Sequence, residues 1–294
     1  MPRETEDNDL RPNADVINLG DTIYGKISTI RDVDCYKVYL RPGHVKFTLT
    51  NPADTNFRIR VFRGLTSKDA IAEEVSTSTS LLTRVCEADI GVDGYDYYYV
   101  IISHNEPSPT YSAKDYTLRV VYTSLTLPFN INQRKFTGLA GQCAAVCAMD
   151  IAAYYGYLDS KGDERWSSAS AVVSEMIEIC ESGLLDWSKV PYADFDETDK
   201  DGNVSASTIY QKAKDSIEHG RPMMLHYYGS NTHWVVPVAY DESSTSISTL
   251  TVCDPYTRNS STATNTPWSL SESQSYNANG ISSFSYGYVT SSPE

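Results

Sequence analysis

The sequence predicts a multidomain chain, with an all-β sandwich or barrel over residues 1–124 and an α+β domain over residues 125–294. Three observations predict it. Short alternating runs separated by turn residues fill the first stretch, as in Phe57-Arg58-Ile59-Arg60-Val61-Phe62, where positions 57, 59 and 61 share one strand face. From residue 143 the apolar spacing becomes helical. After residue 222 strand patterns dominate, and helices followed by an antiparallel sheet is α+β ordering.

Strands of the first domain are expected at residues 22–27, 35–40, 45–50, 57–62, 97–103 and 116–122. Lys37-Val38-Tyr39-Leu40 and Lys46-Phe47-Thr48-Leu49 alternate as residues 57–62 do. Arg41-Pro42-Gly43, Asn51-Pro52-Ala53-Asp54 and Asp93-Gly94 supply the turns. Residues 123–130 read as a short link, in which Pro128 argues against a helix. Helices are expected at 143–156, 168–182 and 206–219. Ala171, Val172, Met176, Ile177 and Ile179 give the second its apolar stripe, and Gly183 and Gly220 are natural stops. Strands follow at 223–228, 233–240, 248–253 and 286–290. Residues 258–275, rich in Ser, Thr and Asn, read as a long surface loop.

Composition narrows the function. The 294 residues are 40% hydrophobic and 21% charged, which is globular, and carry a formal charge of −14. No basic face is visible, so nucleic acid is not an expected partner. No apolar run approaches the roughly 18–20 residues of a membrane span. The start, Met1-Pro2-Arg3-Glu4-Thr5-Glu6-Asp7-Asn8-Asp9, is polar and acidic rather than a signal peptide, so the protein is either cytosolic or one whose signal has been removed. Six cysteines (Cys35, Cys86, Cys143, Cys147, Cys180, Cys253) are too few for a disulfide scaffold, and without a CxxC pair they argue against zinc. Cys35 and Cys86 read equally as a disulfide or as two buried thiols.

The chemistry is expected from Cys143, His233 and Asp254. Cys143 opens an apolar helix pattern among small residues, where unpaired backbone N–H groups and the helix dipole favour thiolate. His233 stands at the mouth of an apolar strand, held by a rigid element, with an ordinary pKa of about 6.5 suited to a general base. Asp254 ends the next strand, and a hairpin would return it to His233, where it would accept Nδ1–H and fix the tautomer. Each also has a bland reading: a buried core thiol, a strand-end histidine on a carbonyl, an Asp-Pro turn starter. Asp150 reads as either a surface position or a buried partner.

Two stretches resemble known families. Glu6-Asp7-Asn8-Asp9 with Asn13-Ala14-Asp15, Gly25-Lys26-Ile27, Asp32-Val33-Asp34-Cys35-Tyr36-Lys37-Val38, Pro42-Gly43, Asp96-Tyr97-Tyr98-Tyr99-Val100 and Tyr116-Thr117-Leu118 together resemble the bacterial pre-peptidase C-terminal domain over residues 4–122. That resemblance implies a jelly-roll-like sandwich attached to a secreted peptidase, binding substrate, cell wall or matrix. Leu127-Pro128 with Gln133, Cys143 thirteen residues before Gly156, Gly220-Arg221-Pro222-Met223-Met224-Leu225, Thr232-His233-Trp234-Val235-Val236 and Cys253-Asp254-Pro255 resemble papain-like cysteine peptidases of the C39-like type over residues 126–290. This implies Cys143 as nucleophile, His233 as base, Asp254 as orienting group and Gln133 as oxyanion donor, with a peptide or protein substrate and no cofactor for catalysis. Ala144 stands where family members often have Gly, and Gln133 lies ten residues before Cys143 rather than about six. Cys147, with Gln142 five residues upstream, is the alternative nucleophile.

Glu4, Glu6, Asn8 and Asp9, with Asp32 and Asp34 from a following turn, supply oxygens for a structural calcium ion, as some collagen-binding members of the first family do; the other reading is a solvated acidic tail. Trp187 and Tyr192 read as cleft or core aromatics, and Asp196, Glu197, Asp199, Asp201 and Asn203 around Gly202 as a solvated loop. The expected function is a secreted or cell-surface cysteine peptidase with an accessory sandwich. The rivals are a non-catalytic binding or adhesion protein, and an acyl-transfer enzyme using the same residues.

Overall fold

The computed structural model describes residues 2–53, 55–74, 82–105, 110–136, 139, 142–156, 168–179, 195–198, 204–229, 232–256, 264–277 and 281–289. Among these the chain is mostly β-sheet with few helices, and it divides into two compact units, Met1–Thr123 with Glu218–Gly220, and Ser124–Ile217 with Arg221–Glu294.

The first unit holds strands β1 (Asp15–Val16), β2 (Thr22–Gly25), β3 (Val33–Leu40), β4 (Gly43–Thr50), β5 (Phe57–Arg63), β6 (Ala72–Glu74), β7 (Thr83–Ile90), β8 (Asp96–His104) and β9 (Tyr116–Leu125). One sheet runs β1-β3-β8-β5-β6, antiparallel except for the β1–β3 pair. In the other, β2 pairs with β9, β9 neighbours β4, and β4 pairs with β7. Period-2 burial is clean in β4, where Val45, Phe47 and Leu49 are fully buried and the residues between them are half-exposed. The sheets meet face to face: Tyr36 from the first bonds to Tyr116 from the second at 2.6 Å between hydroxyls, and Phe57 packs edge-on to Tyr116.

The sequence reading missed β7, and one residue explains why. Arg84 is 1% exposed while Val85 is 40% exposed, so the strand presents its arginine inward and its valine outward. Arg84 is held by Nε–H donating to the Phe57 carbonyl at 2.9 Å and Nη2 donating to Asn56 Oδ1 at 2.7 Å, which offsets its desolvation. Cys35 and Cys86 are both buried and both free thiols, so the possible disulfide between them is not formed. The expected link at 123–130 is shorter than read, because β9 continues to Leu125.

The second unit holds helices α1 (Cys143–Tyr155), α2 (Ala169–Ile179), α3 (Ala206–Glu218) and α4 (Leu270–Asn277), and strands β10 (Phe195–Thr198), β11 (Met223–Gly229), β12 (His233–Ala239), β13 (Thr251–Cys253), β14 (Trp268–Ser269) and β15 (Ile281–Val289). The sheet order is β10-β15-β11-β12, antiparallel, with β13 added on β12 and β14 on β13. Helix α1 is buried from Ala145 to Tyr154, as its run of Ala, Val, Cys, Met and Ile on all sides requires, and it packs against β12, β11 and β15. It ends at Gly156 with φ 76°, a left-handed cap that glycine adopts without strain. A second core gathers Ile209, Tyr210 and Ala213 of α3, Leu270 of α4, and Met223, Leu225, Tyr227, Val235 and Val252 of the sheet.

Three expectations are corrected here. Residues 248–253 are not one strand; Ile247–Thr249 form a 3-10 turn and only Thr251–Cys253 pair. Asp196 and Glu197 lie in β10, paired to β15, and not in a loop. The Ser- and Thr-rich stretch 258–275 is not a surface loop from residue 268 onward, because Trp268–Ser269 form β14 and Leu270–Asn277 form α4. Cys180, Gly183, Trp187, Tyr192, Asp199, Asp201, Gly202 and Asn203 lie outside the described residues.

Candidate active site

Three elements of the second unit bring the chemistry together. Cys143 is the first residue of α1, His233 the first of β12, and Asp254 follows β13 directly. The β12–β13 pairing, Val236 opposite Cys253 and Pro237 opposite Val252, returns the chain so that Asp254 meets His233. His233 Nε2 lies 2.7 Å from Asp254 Oδ1. The expectation that Asp254 accepts from Nδ1 is thereby corrected: the hairpin brings the carboxylate to Nε2, which leaves Nδ1 for the Cys143 thiol that hydrogen-bonds the same ring. The His233 ring is flanked edge-on by Tyr227, its cross-strand partner, at 5.5 Å between centroids, and by Tyr256 at 6.4 Å.

The electrostatics oppose burial and win. Burial alone would push the Cys143 thiol up, but the hydrogen bond and charge of His233, with backbone hydrogen bonds from Trp234 and Ala144, hold it below the usual thiol value. Burial pulls His233 down, yet Asp254 first and Cys143 second lift it to about 9. Across neutral pH both shifts favour a thiolate beside an imidazolium. Cys147, one turn along α1, is only 1% exposed, and burial pushes its thiol well above the usual value. Cys143 is half-buried, which separates the two candidates.

Asp254 is fully buried and heavily bonded. Its Oδ1 also accepts the Tyr256 N–H at 2.7 Å, its Oδ2 accepts Ser273 Oγ–H at 2.5 Å, and the Asn265 side chain donates to its carbonyl at 2.7 Å. Ser273, from α4, is fully buried and lies 3.0 Å from the Tyr227 hydroxyl. Sequence reasoning missed Ser273, Tyr227 and Asn265. A signal for α4 was nonetheless present: Ser269-Leu270-Ser271-Glu272 is a capping box, with Ser269 N–H donating to Glu272 Oε2 at 3.1 Å and Glu272 N–H donating to Ser269 Oγ at 3.3 Å.

Gln133 sits in a short 3-10 turn, Gln133–Lys135, with its side chain buried. Its N–H donates to the Pro255 carbonyl at 2.8 Å, which fixes it beside the Asp254 turn, and its Oε1 accepts no hydrogen bond among the described residues. The same segment is laced to the Asn265 region through Asn265 N–H to the Asn130 carbonyl at 2.8 Å and the Asn130 side chain to the Asn265 carbonyl at 2.9 Å. Asp150 is a buried partner, 3% exposed, accepting the Ile131 N–H on Oδ2 at 2.9 Å. Burial lifts its carboxyl to about 7.

Of the six oxygen ligands expected for calcium, Glu4 and Asp34 come together, but no third joins them. Glu4 Oε1 accepts the Lys26 N–H at 2.6 Å and Oε2 the Tyr36 hydroxyl at 3.1 Å, while Asp34 Oδ2 accepts the Tyr116 hydroxyl at 2.5 Å. Burial, then Glu4 alongside, pushes the Asp34 carboxyl up to about 9. Asp32 Oδ2 is turned to the Ser28 N–H and hydroxyl, the Asn8 side chain donates to Asp15, and Glu6 and Asp9 face solvent. Among the described residues no three His, Cys, Asp or Glu side chains are grouped to hold a metal ion. Nor is any helix among them long and apolar enough to cross a membrane.

No protein-family model matches the chain, and no curated protein matches it. Among solved structures it is similar to the pre-peptidase C-terminal domain of a collagenase from Bacillus anthracis, at 15% identity and TM-score 0.29, over 36% of this chain and 93% of that one. It is also similar to two periplasmic inhibitors of g-type lysozyme. PliG of Aeromonas hydrophila has 12% identity and TM-score 0.28 over 36% of this chain and 93% of that one. PliG of Salmonella Typhimurium has 13% identity and TM-score 0.25 over 36% and 95%.

Proposed function

We propose that the second unit is a papain-like cysteine peptidase of the C39-like type, and that the chain is a secreted or cell-surface enzyme whose β-sandwich binds substrate, cell wall or matrix. One observation carries the reading: a helix-initiating thiol bonded to an imidazole whose other nitrogen is 2.7 Å from a fully buried carboxylate.

In this reading His233 Nδ1 takes the Cys143 proton, and the thiolate attacks a substrate carbonyl carbon. The Cys143 N–H and the Gln133 side-chain amide receive the developing oxyanion, a donor of this kind contributing about 10²–10³ in rate. The imidazolium protonates the amine as the C–N bond breaks, leaving a thioester. His233 then deprotonates a water that attacks the thioester, releasing the acid and restoring the thiol. An amine in place of that water would give acyl transfer, which product analysis distinguishes.

The test is hydrolysis of a mixed peptide library by the wild type and by Cys143→Ala, read by mass spectrometry. Cleavage by the wild type that vanishes in Cys143→Ala is expected. Equal cleavage by both would end the assignment, and cleavage by neither would favour a binding or adhesion protein.

A further inference from the structure

The buried carboxylate of Asp254 is served by a second layer that the triad chemistry does not itself require. Its Oδ2 lies 2.5 Å from Ser273 Oγ, and Ser273 Oγ lies 3.0 Å from Tyr227 Oη. A serine hydroxyl carries one proton, and an ionised carboxylate only accepts. Ser273 therefore donates to Asp254, and Tyr227 must donate to Ser273. The chain has a fixed direction: Tyr227 O–H to Ser273 O–H to Asp254 Oδ2, with Oδ1 facing His233 Nε2 at 2.7 Å. Asp254, Ser273 and Tyr227 are all fully buried, so water does not substitute for these donors. Each comes from a different element: the end of β13, α4 and β11. Tyr227 also packs its ring edge on His233, so one residue supports the imidazole directly and its carboxylate partner at one remove.

We propose that Ser273 and Tyr227 are positioning residues of the candidate site, a relay that holds the Asp254 carboxylate plane aligned on His233. This rests on the reading of Cys143, His233 and Asp254 as a catalytic triad. Removing the donor on Oδ2 frees the carboxylate to turn, which weakens its bond to the His233 ring, the contact that lifts the imidazole most. A less supported imidazolium holds the Cys143 thiolate less well, so the charged pair would fail at a higher pH than before.

The test is the pH dependence of Cys143 alkylation by iodoacetamide in the full chain, with the label mapped to residue 143, for wild type, Ser273→Ala and Tyr227→Phe. It needs no peptide substrate, so it separates this inference from the choice of reaction. The wild type is expected to react below the ordinary thiol value of about 8.5. In Ser273→Ala the acid-side midpoint should move up by about one pH unit, the scale of one hydrogen bond to a charged group. Tyr227→Phe keeps the ring packing and should shift it the same way by less. If a cleaved peptide is in hand, kcat should fall while KM holds. Acid-side midpoints unchanged in both variants would overturn the proposal, even if melting temperature drops, since that would be support of the fold alone. Should Ser273→Ala not fold, Tyr227→Phe decides. A wild type that alkylates only from the ordinary thiol value upward overturns the triad reading and this inference together, whereas a wild type reactive below it with unshifted variants overturns this inference only.

Discussion

Cys143 and Cys147 lie one helical turn apart, yet their surroundings push the two thiols in opposite directions. Both lie on one face of α1, but only Cys143 sits at its first position with His233 alongside. Cys147→Ala is expected to leave labelling of Cys143 unchanged, measured by mapped mass spectrometry. Asp254→Asn keeps the shape but presents an uncharged amide to Nε2; turnover should fall, though less severely than the complete loss expected for Cys143→Ala. The pH profile of kcat/KM has a sign fixed by the two shifts. Activity should rise as pH passes the lowered Cys143 value and fall as it passes about 9, where His233 loses its proton. A single descending limb near an ordinary histidine value would contradict that pairing. The three residues of the proposed triad were legible in the sequence because each occupies an element boundary: a helix start, a strand start, a strand end. Which ring nitrogen faces the carboxylate was not legible, since it depends on the hairpin register, with its irregularity between Pro237 and Ala239.

At the scale of elements, what the sequence concealed has a common cause, polar residues turned inward. Strand β7 was hidden because Arg84 occupies the buried phase and Val85 the exposed one. Arg84→Ala would leave the Phe57 carbonyl and Asn56 Oδ1 without that donor, and should destabilise the first unit by about 1–3 kcal/mol in denaturant melts. Helix α4 was hidden by its serine content, although Ser273 is fully buried and Ser269 with Glu272 forms the cap. Ser269→Ala should cost about 1 kcal/mol. Because α4 holds Ser273 against Asp254, that loss should appear also as slower Cys143 labelling, whereas an isolated surface helix would transmit nothing to the thiol. The regular strands β3, β4, β5, β8 and β9 were legible where apolar residues kept period 2 or formed unbroken buried runs, and α1, α2 and α3 where the helical spacing held.

For the whole molecule, the change of pattern near residue 124 coincides with a division into units at Thr123 and Ser124, one an all-β sandwich and the other a sheet with helices. The buried ionic network also leaves a mark on stability. The folded His233 value of about 9 exceeds its unfolded value of about 6.5, so the stabilisation is whole below 6.5 and lost as pH rises through 9. Asp150, lifted to about 7 by burial, acts in the same direction, since the unfolded chain releases that proton earlier. The lowered Cys143 thiol acts in the opposite direction, because the unfolded chain keeps that proton to the ordinary thiol value of about 8.5, and up to there the two offset. The melting temperature of the second unit should therefore fall more steeply in the wild type than in His233→Ala only from about 8.5 through the His233 value of about 9, read by calorimetry across buffers.

The most direct measurement of the central claim is the ultraviolet absorbance of thiolate, titrated as the difference between wild type and Cys143→Ala. The thiolate signal is expected to appear below the ordinary thiol value, because His233 and the backbone N–H groups hold the charge. A signal that first appears near the ordinary thiol value of about 8.5 would mean that Cys143 and His233 do not form an ion pair, and the peptidase reading would fall with it.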